Sequence, residues 1–190
     1  IKEVQRNWIG KSEGASVRFQ LNGHAEYVEV FTTRPDTIFG VSFMTLAPEH
    51  ELVLKITSAD NKEAIEKYIG AAKLKTERDR QSDVKNVSAL FTGAYALHPF
   101  TGEKIPVWIG EYVLAGYGTG AVMAVPAGDQ RDWDFAKKYD LSIPNIFDNT
   151  DISEKAETSK EVKLCNSQFL DGMIHSDAIP RIIAAIEEGD

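Results

Sequence analysis

A strand-like alternation, Tyr27-Val28-Glu29-Val30-Phe31, runs without a break into Thr32-Thr33-Arg34-Pro35-Asp36-Thr37-Ile38-Phe39-Gly40-Val41, and this junction constrains the chain more than any other stretch. Period-two alternation commits the first five residues to a strand with one buried face. Pro35 fixes its own φ and pushes Arg34 away from the helical region, so the chain turns where the strand ends. Threonine hydroxyls, a guanidinium and a carboxylate all fall on that turn. Polar groups gathered at a strand end are placed to meet a ligand. The same residues would also serve a plain exposed turn.

A second segment supplies complementary chemistry. Gly116-Tyr117-Gly118-Thr119-Gly120 leads into the apolar run Ala121-Val122-Met123-Ala124-Val125, which Pro126 and Gly128 close. That pattern is a short buried strand. Asp129 then has the character of a helix N-cap, and Trp133, Ala136 and Tyr139 follow at helical spacing, giving the new helix one apolar side. Asp129 and Asp132 are three residues apart, so both carboxylates sit on the first turn. Capping accounts for one of them. A second ionised carboxylate there is able to hold a substrate ammonium through charge-assisted hydrogen bonds.

Together the two segments resemble the editing domain inserted into leucyl-tRNA synthetase, of the bacterial type. The Arg34-Pro35-Asp36-Thr37 wording, Gly118-Thr119-Gly120-Ala121-Val122-Met123-Ala124-Val125-Pro126 and Asp129-Gln130-Arg131-Asp132 are closer to the leucyl branch than to the isoleucyl and valyl insertions. Gln5-Arg6-Asn7-Trp8-Ile9-Gly10-Lys11-Ser12-Glu13-Gly14 is similar to the chain entering that insertion, and Phe169-Leu170-Asp171-Gly172-Met173 to the stretch near its exit. One departure stands out: Gly128 occupies the place of a histidine expected before Asp129. The likeness implies a connecting segment at 1–14 leading in from the parent enzyme and an editing domain at 15–190. It also implies a mixed α/β fold, a compact barrel-like core of mostly antiparallel strands with helices around it and with termini close together.

What the resemblance implies for function is post-transfer editing: hydrolysis of the ester bond in mischarged tRNA(Leu), carrying isoleucine, norvaline or methionine, while Leu-tRNA(Leu) is spared. A hydrophobic pocket separates near-isosteric amino acids by only about 1–3 kcal/mol, so a second, hydrolytic site is needed. On the family's pattern Thr37 is a steric gate against the leucyl side chain, and Met123 and Val125 line the amino-acid pocket. Asp132 binds the α-ammonium with Asp129 in support, and Thr32 and Thr33 hold the attacking water or steady the oxyanion. Arg34 is a contact to the tRNA terminus or a support for the turn, and Asp36, Tyr117 and Arg131 are the remaining substrate contacts. A free aspartate is a weak base at neutral pH, which favours a positioned water helped by the neighbouring ribose hydroxyl. The implied partners are the 3′-terminal adenosine of the aminoacylated tRNA and the rest of the synthetase in the same chain. No cofactor or metal is implied, the isolated domain is expected to be a monomer, and the setting is cytoplasmic. Two other classes remain open: a non-catalytic module that binds the aminoacyl end of tRNA, and an independent hydrolase of small aminoacyl esters.

Composition bounds these readings. With 190 residues, 43% hydrophobic and 26% charged, the chain supports one sizeable core. The net charge of −8 argues against broad nucleic-acid binding, because a duplex-gripping protein presents a basic face. An editing domain need hold only the terminal single-stranded nucleotides, so weak tRNA binding by the isolated chain is expected. The start at Ile1 suggests an excised fragment, and no stretch has the length and apolarity of a membrane span. Cys165 is the sole cysteine, which rules out an internal disulfide.

Elsewhere the chain reads as short strands alternating with helices. Val17 to Leu21 pairs with Tyr27 to Phe31 around Asn22-Gly23 as a hairpin. Val41 to Leu46 is a buried strand, after which Pro48 opens a helix. Asp60 and Glu63 form a capping box for a helix running to Ile69 and stopped by Gly70. Lys73 to Asn86 is charged and aperiodic, read as a mobile surface segment in preference to a tRNA contact surface. Tyr95–Leu97 and Ile105–Ile109 make a hairpin around Pro99-Phe100-Thr101-Gly102. Ile179, Ile182, Ile183 and Ile186 form the buried stripe of a last helix that closes near Gly189. The glycines at 116, 118 and 120 precede a strand, whereas phosphate loops open a helix. His24, His50, His98 and His175 lack metal-ligand spacing. No nucleophile elbow is present, and Trp8, Trp108 and Trp133 are too scattered for a base-stacking platform.

Overall fold

The hairpin expected around Asn22-Gly23 pairs β1 (Ala15–Gln20) with β2 (Tyr27–Thr32) in antiparallel register, Val17 opposite Val30 and Phe19 opposite Val28. Those four side chains are buried while Arg18, Gln20 and Tyr27 point to solvent, the alternation that period two demands. The structure is a computed structural model, and it describes residues 14–76, 79–80, 88–116 and 118–189. The connecting segment expected at 1–14 therefore lies, apart from Gly14, outside the described residues, as does Tyr117.

A second sheet has the order β4-β5-β3-β6, built from β3 (Phe43–Leu46), β4 (Ala89–Leu97), β5 (Lys104–Gly110) and β6 (Ala121–Ala124). Within it β4–β5 and β3–β6 are antiparallel, and β3–β5 is parallel. The hairpin reaches both edges of this sheet. Leu21 bridges Ala96 of β4, Asn22 N–H donates to Tyr95 O at 2.8 Å, and β2 packs beside β6. The core is thus wrapped on all sides in the barrel-like manner expected, but the ladders stay separate and close no continuous barrel. Register in the β4–β5 pair shifts between Phe91 and Tyr95. Gly93 sits in that bulge at φ +84°, where a Cβ would lie 2.3 Å from Ser58 Oγ, so the close approach of Ser58 needs glycine.

Helices pack on the outside. α1 (Val53–Ile56) and α2 (Lys62–Lys73) follow β3, α3 (Gln130–Lys138) follows β6, and α4 (His175–Gly189) ends the chain. Phe135 of α3 stacks on Phe43 at 4.4 Å and meets Trp108 edge-on, forming a small core on the outer face of the sheet. Each such buried side chain contributes roughly 1.5–3 kcal/mol. Phe135 is the centre of the buried side of α3, with Ala136; the expected Trp133 and Tyr139 are only half-buried. In α4 the stripe is buried at Ile182 and at Ala178, and Ile186 packs on the main core. Among the described residues no helix is long and apolar enough to cross a membrane.

Three local readings are corrected. Pro48 lies in a turn after β3, and the helix begins only at Val53. The capping box is not formed: Asp60 is taken up by a 3-10 turn at Ala59–Asn61, and Glu63 pairs instead with Lys67 at 2.7 Å. Helix α2 also continues through exposed Gly70 to Lys73, because nothing there forces a left-handed cap. Of the expected surface segment, 77–78 and 81–86 lie outside the described residues, but its described part is anchored. Lys75 pairs with Glu111 at 2.6 Å, and Arg80 is buried, paired with Glu49 and donating to Ala72 O at 2.7 Å.

Candidate active site

The end of β2, the turn after it, β6 and the start of α3 converge on an open cleft of about 520 Å³. Strand pairing explains one half of this convergence: β6 lies against β3, and the segment that leads into β3 is the threonine turn. Phe135 explains the other half. Anchoring that ring against Phe43 brings Asp132, one turn earlier, onto the buried face of α3. Thr32, Thr33, Arg34, Thr37, Met123, Val125, Asp129, Arg131 and Asp132 all line the cleft.

Within the turn, short hydrogen bonds set each group. Arg34 lies outside the helical region at φ −124°, ψ 54°, and the chain then enters a 3-10 helix over Pro35–Gly40. Arg34 N–H donates to Thr32 Oγ1 at 3.0 Å, and Thr37 Oγ1 donates to Arg34 O at 2.9 Å. With its hydroxyl committed to the backbone and only 3% of its surface exposed, Thr37 contributes fixed bulk to the cleft. Thr33 is exposed, and no hydrogen bond ties its side chain to another described residue. It is therefore the threonine with the freest hydroxyl for water or an oxyanion. His98 supports the turn from below. Its Nδ1 accepts from Phe100 N–H, which leaves Nε2–H to donate to Ile38 O at 3.0 Å, and burial pushes its pKa down.

The helix end carries the electrostatics. Asp129 caps α3 by accepting from Asp132 N–H at 3.1 Å. Asp132 Oδ2 accepts from Val125 N–H at 2.9 Å, locking helix to strand. Its other oxygen, Oδ1, is buried without a hydrogen bond, and the closest cation is Arg131 Nη2 at 3.8 Å. Burial pushes the Asp132 carboxyl up to about 7, with the charge of Asp129 acting in the same direction and Arg131 and the Val125 N–H against it. A buried carboxylate oxygen left without a donor is costly, and a ligand's N–H groups would satisfy it. Arg131 itself leans over the Tyr112 ring at 4.7 Å.

Asp36, expected to touch substrate, does not line the cleft. It is fully buried behind the turn, where its oxygens accept from Arg34 Nε at 3.1 Å and Nη2 at 3.0 Å. The reason is geometric: a carboxylate two residues along a tight turn from a guanidinium captures the fork. Val30, Phe31, Val122 and Thr158 also line the cleft and were not anticipated, and Gly128, in the place of the expected histidine, lines it too. Val30, Phe31 and Val122 adjoin anticipated residues, so strand context could have found them. Thr158 stands in an aperiodic polar stretch that gives no signal. Gly128 has ordinary backbone geometry, and a Cβ there would approach nothing closer than Phe147 at 3.5 Å, so its glycine is not a steric necessity. Among the described residues no group of three His, Cys, Asp or Glu side chains converges to hold a metal ion.

Comparisons with known proteins agree with this architecture. The family described as leucyl-tRNA synthetase, editing domain, matches residues 6–187. The leucine–tRNA ligase of Christiangramia forsetii is 59% identical over 189 residues, 99% of this chain and 20% of that protein. That of Flavobacterium johnsoniae is 60% identical over 194 residues, with the same shares covered. Among solved structures, the ternary LeuRS–tRNA–LeuAMS complex of Agrobacterium radiobacter K84 superposes with a TM-score of 0.72 at 30% identity, covering 98% of this chain and 20% of that one. The chain thus spans about one fifth of the length of the curated relatives it matches. It belongs to the leucyl-tRNA synthetase editing-domain family.

Proposed function

We propose that this domain hydrolyses the ester of mischarged tRNA(Leu), bearing isoleucine, norvaline or methionine, and spares Leu-tRNA(Leu). The observation that carries the reading is the buried Asp132 carboxylate, whose Oδ1 has no hydrogen-bond donor, in the wall of a cleft that also bears Thr32, Thr33 and Thr37. An α-ammonium supplies the missing N–H groups, and that contact fixes the ester carbonyl beside the threonines. Holding reactants in attack geometry lowers a barrier by several kcal/mol.

In this mechanism a water oxygen held by Thr33 or Thr32 attacks the carbonyl carbon. The C–O bond to the ribose breaks, the leaving oxygen takes up a proton, and the free amino acid departs. The neighbouring ribose hydroxyl assists proton transfer, since the carboxylate beside the site is engaged with Val125 N–H and the ammonium. Thr37 and the apolar Met123 and Val125 set which side chains enter. Arg131 is free to turn from Tyr112 toward the terminal phosphate or ribose. Tyr117 remains a candidate contact. The 3′-terminal adenosine of tRNA(Leu) occupies the cleft mouth, and the remainder of a cytoplasmic leucyl-tRNA synthetase supplies most of the grip, in keeping with the net charge of −8.

Deacylation of Ile-tRNA(Leu) and Leu-tRNA(Leu) tests this, measured for the isolated chain and for a full-length leucine–tRNA ligase carrying it as its editing domain. Selective loss of the isoleucyl ester is expected from the full-length enzyme. No clearance by either would overturn hydrolysis and leave a module that binds the aminoacyl end.

A further inference from the structure

The site's best-built feature outside the cleft is an ionic cluster behind the threonine turn. Asp36, with its side chain 1% exposed, holds the Arg34 fork through both oxygens. His175, the first residue of α4, brings Nδ1 to 3.1 Å from Asp36 Oδ2, a close nitrogen-to-carboxylate contact that falls short of a directed hydrogen bond. Helix α4 packs against the 3-10 helix Pro35–Gly40, so the contact joins the end of the chain to the turn.

What makes this cluster more than packing is the place of Arg34 in the turn. Its N–H is held by Thr32 Oγ1, and its carbonyl receives both Thr37 N–H, at 3.1 Å, and Thr37 Oγ1. Its side chain lines the cleft and, among the described residues, is tethered only from behind, by Asp36. Any shift of the Arg34 backbone therefore displaces a proposed water-holding threonine and the proposed gate together, and the tether of its side chain to Asp36 resists that shift. A buried carboxylate held in the Arg34 fork and faced by the His175 ring has little freedom to follow such a shift.

We propose that Asp36 and His175 are positioning residues of the editing site: through Arg34 they fix the separation between Thr32 and the Thr37 gate, so that helix α4 sets how strictly leucine is rejected. Neither touches the reacting ester. The proposal rests on the hydrolytic reading above and names the residues that tune its selectivity.

The test uses the full-length ligase carrying this chain, with His175→Ala, His175→Asn and Asp36→Asn, and follows kcat and KM for Ile-tRNA(Leu) and Leu-tRNA(Leu). The His175→Ala change is expected to lower the isoleucyl-to-leucyl ratio of kcat about fivefold, with KM nearly unmoved, because misplacement by a fraction of an ångström is felt in the chemical step. In His175→Asn the amide nitrogen replaces Nδ1, and most of the ratio should return. Asp36→Asn retains one acceptor for the fork and should fall between. A melting temperature lowered in His175→Ala with the ratio unchanged would overturn the proposal and leave a merely structural contact. Failure of Asn to rescue a lost ratio would overturn it too. A wild-type enzyme that clears neither ester would instead remove the hydrolytic reading, which separates the two failures.

Discussion

Asp36 and Asp132 are both buried carboxylates, one behind the threonine turn and one in the cleft wall, and their surroundings are opposite. Asp36 is saturated: two bonds from Arg34 and the facing His175 leave no oxygen wanting. Asp132 is half-satisfied, with one oxygen on Val125 N–H and the other without a hydrogen bond. Burial is costly for any charge and tolerable when partners replace water. The saturated aspartate therefore belongs to the scaffold, whereas the half-satisfied one holds a place for a ligand. A protein lowers its own stability at such a site so that binding can restore what folding left unpaired.

The strongest test removes the carboxylate that waits for its ligand. Asp132→Ala is expected to keep the fold and slow clearance of Ile-tRNA(Leu) by 100-fold or more, a barrier increase of about 2.7 kcal/mol. Single-turnover deacylation reads this directly, and a loss smaller than twofold would place the ammonium elsewhere.

Stability should move in opposite directions at the two aspartates. Asp36→Ala strips Arg34 and His175 of their partner and should destabilise the domain by about 2 kcal/mol. Asp132→Asn keeps an acceptor for Val125 N–H and removes the awkward charge. The sign follows from the raised pKa. The folded carboxyl holds its proton up to about 7, against an ordinary value of 3.8, so the stability this group contributes is complete below about 4 and lost as pH rises through 7. Asp132→Asn should thus be more stable than wild type by on the order of 4 kcal/mol at pH 8, with the difference vanishing near pH 4. Urea unfolding at the two pH values decides, and equal shifts at both would undo the comparison.

Selectivity is the next smaller effect. Thr37→Ala removes bulk held in place by the bond to Arg34 O, and hydrolysis of correctly charged Leu-tRNA(Leu) should rise about tenfold, near 1.4 kcal/mol. Unchanged protection of the leucyl ester would take Thr37 out of the gate.

The comparison also marks what a sequence can disclose. Local rules were enough where the physics is local: period two gave the β1–β2 hairpin, and the Asp129 cap with its three-residue spacing put Asp132 on the first turn of α3. They failed where a neighbour in space took over. Asp36 looked like a ligand-facing group because the turn is polar, but a carboxylate that can reach Arg34 and a histidine from the far end of the chain turns inward. Thr158 reached the cleft wall through tertiary bonds, Glu157 N–H to Ala127 O at 2.8 Å and Trp133 Nε1–H to Ile152 O at 2.9 Å, which no local pattern foretells. The capping box at Asp60 lost to a 3-10 turn wedged beside Gly93, whose missing side chain admits Ser58.

Gly128 gives the smallest and sharpest test. It lies in the cleft wall beside the Asp129 cap, its φ is ordinary, and a Cβ would sit in van der Waals contact with Phe147 at 3.5 Å and Val125 at 3.7 Å. Alanine there narrows the unfolded ensemble without a clash, so Gly128→Ala should stabilise the domain by about 0.5 kcal/mol. The methyl neither reaches a proton nor replaces the donor that Asp132 Oδ1 lacks, so clearance of Ile-tRNA(Leu) should stay within twofold of wild type. A loss of clearance beyond tenfold in Gly128→Ala would mean that the space at this position is itself occupied by substrate, and the ligand-holding part of the cleft would have to be extended from Asp132 toward Phe147.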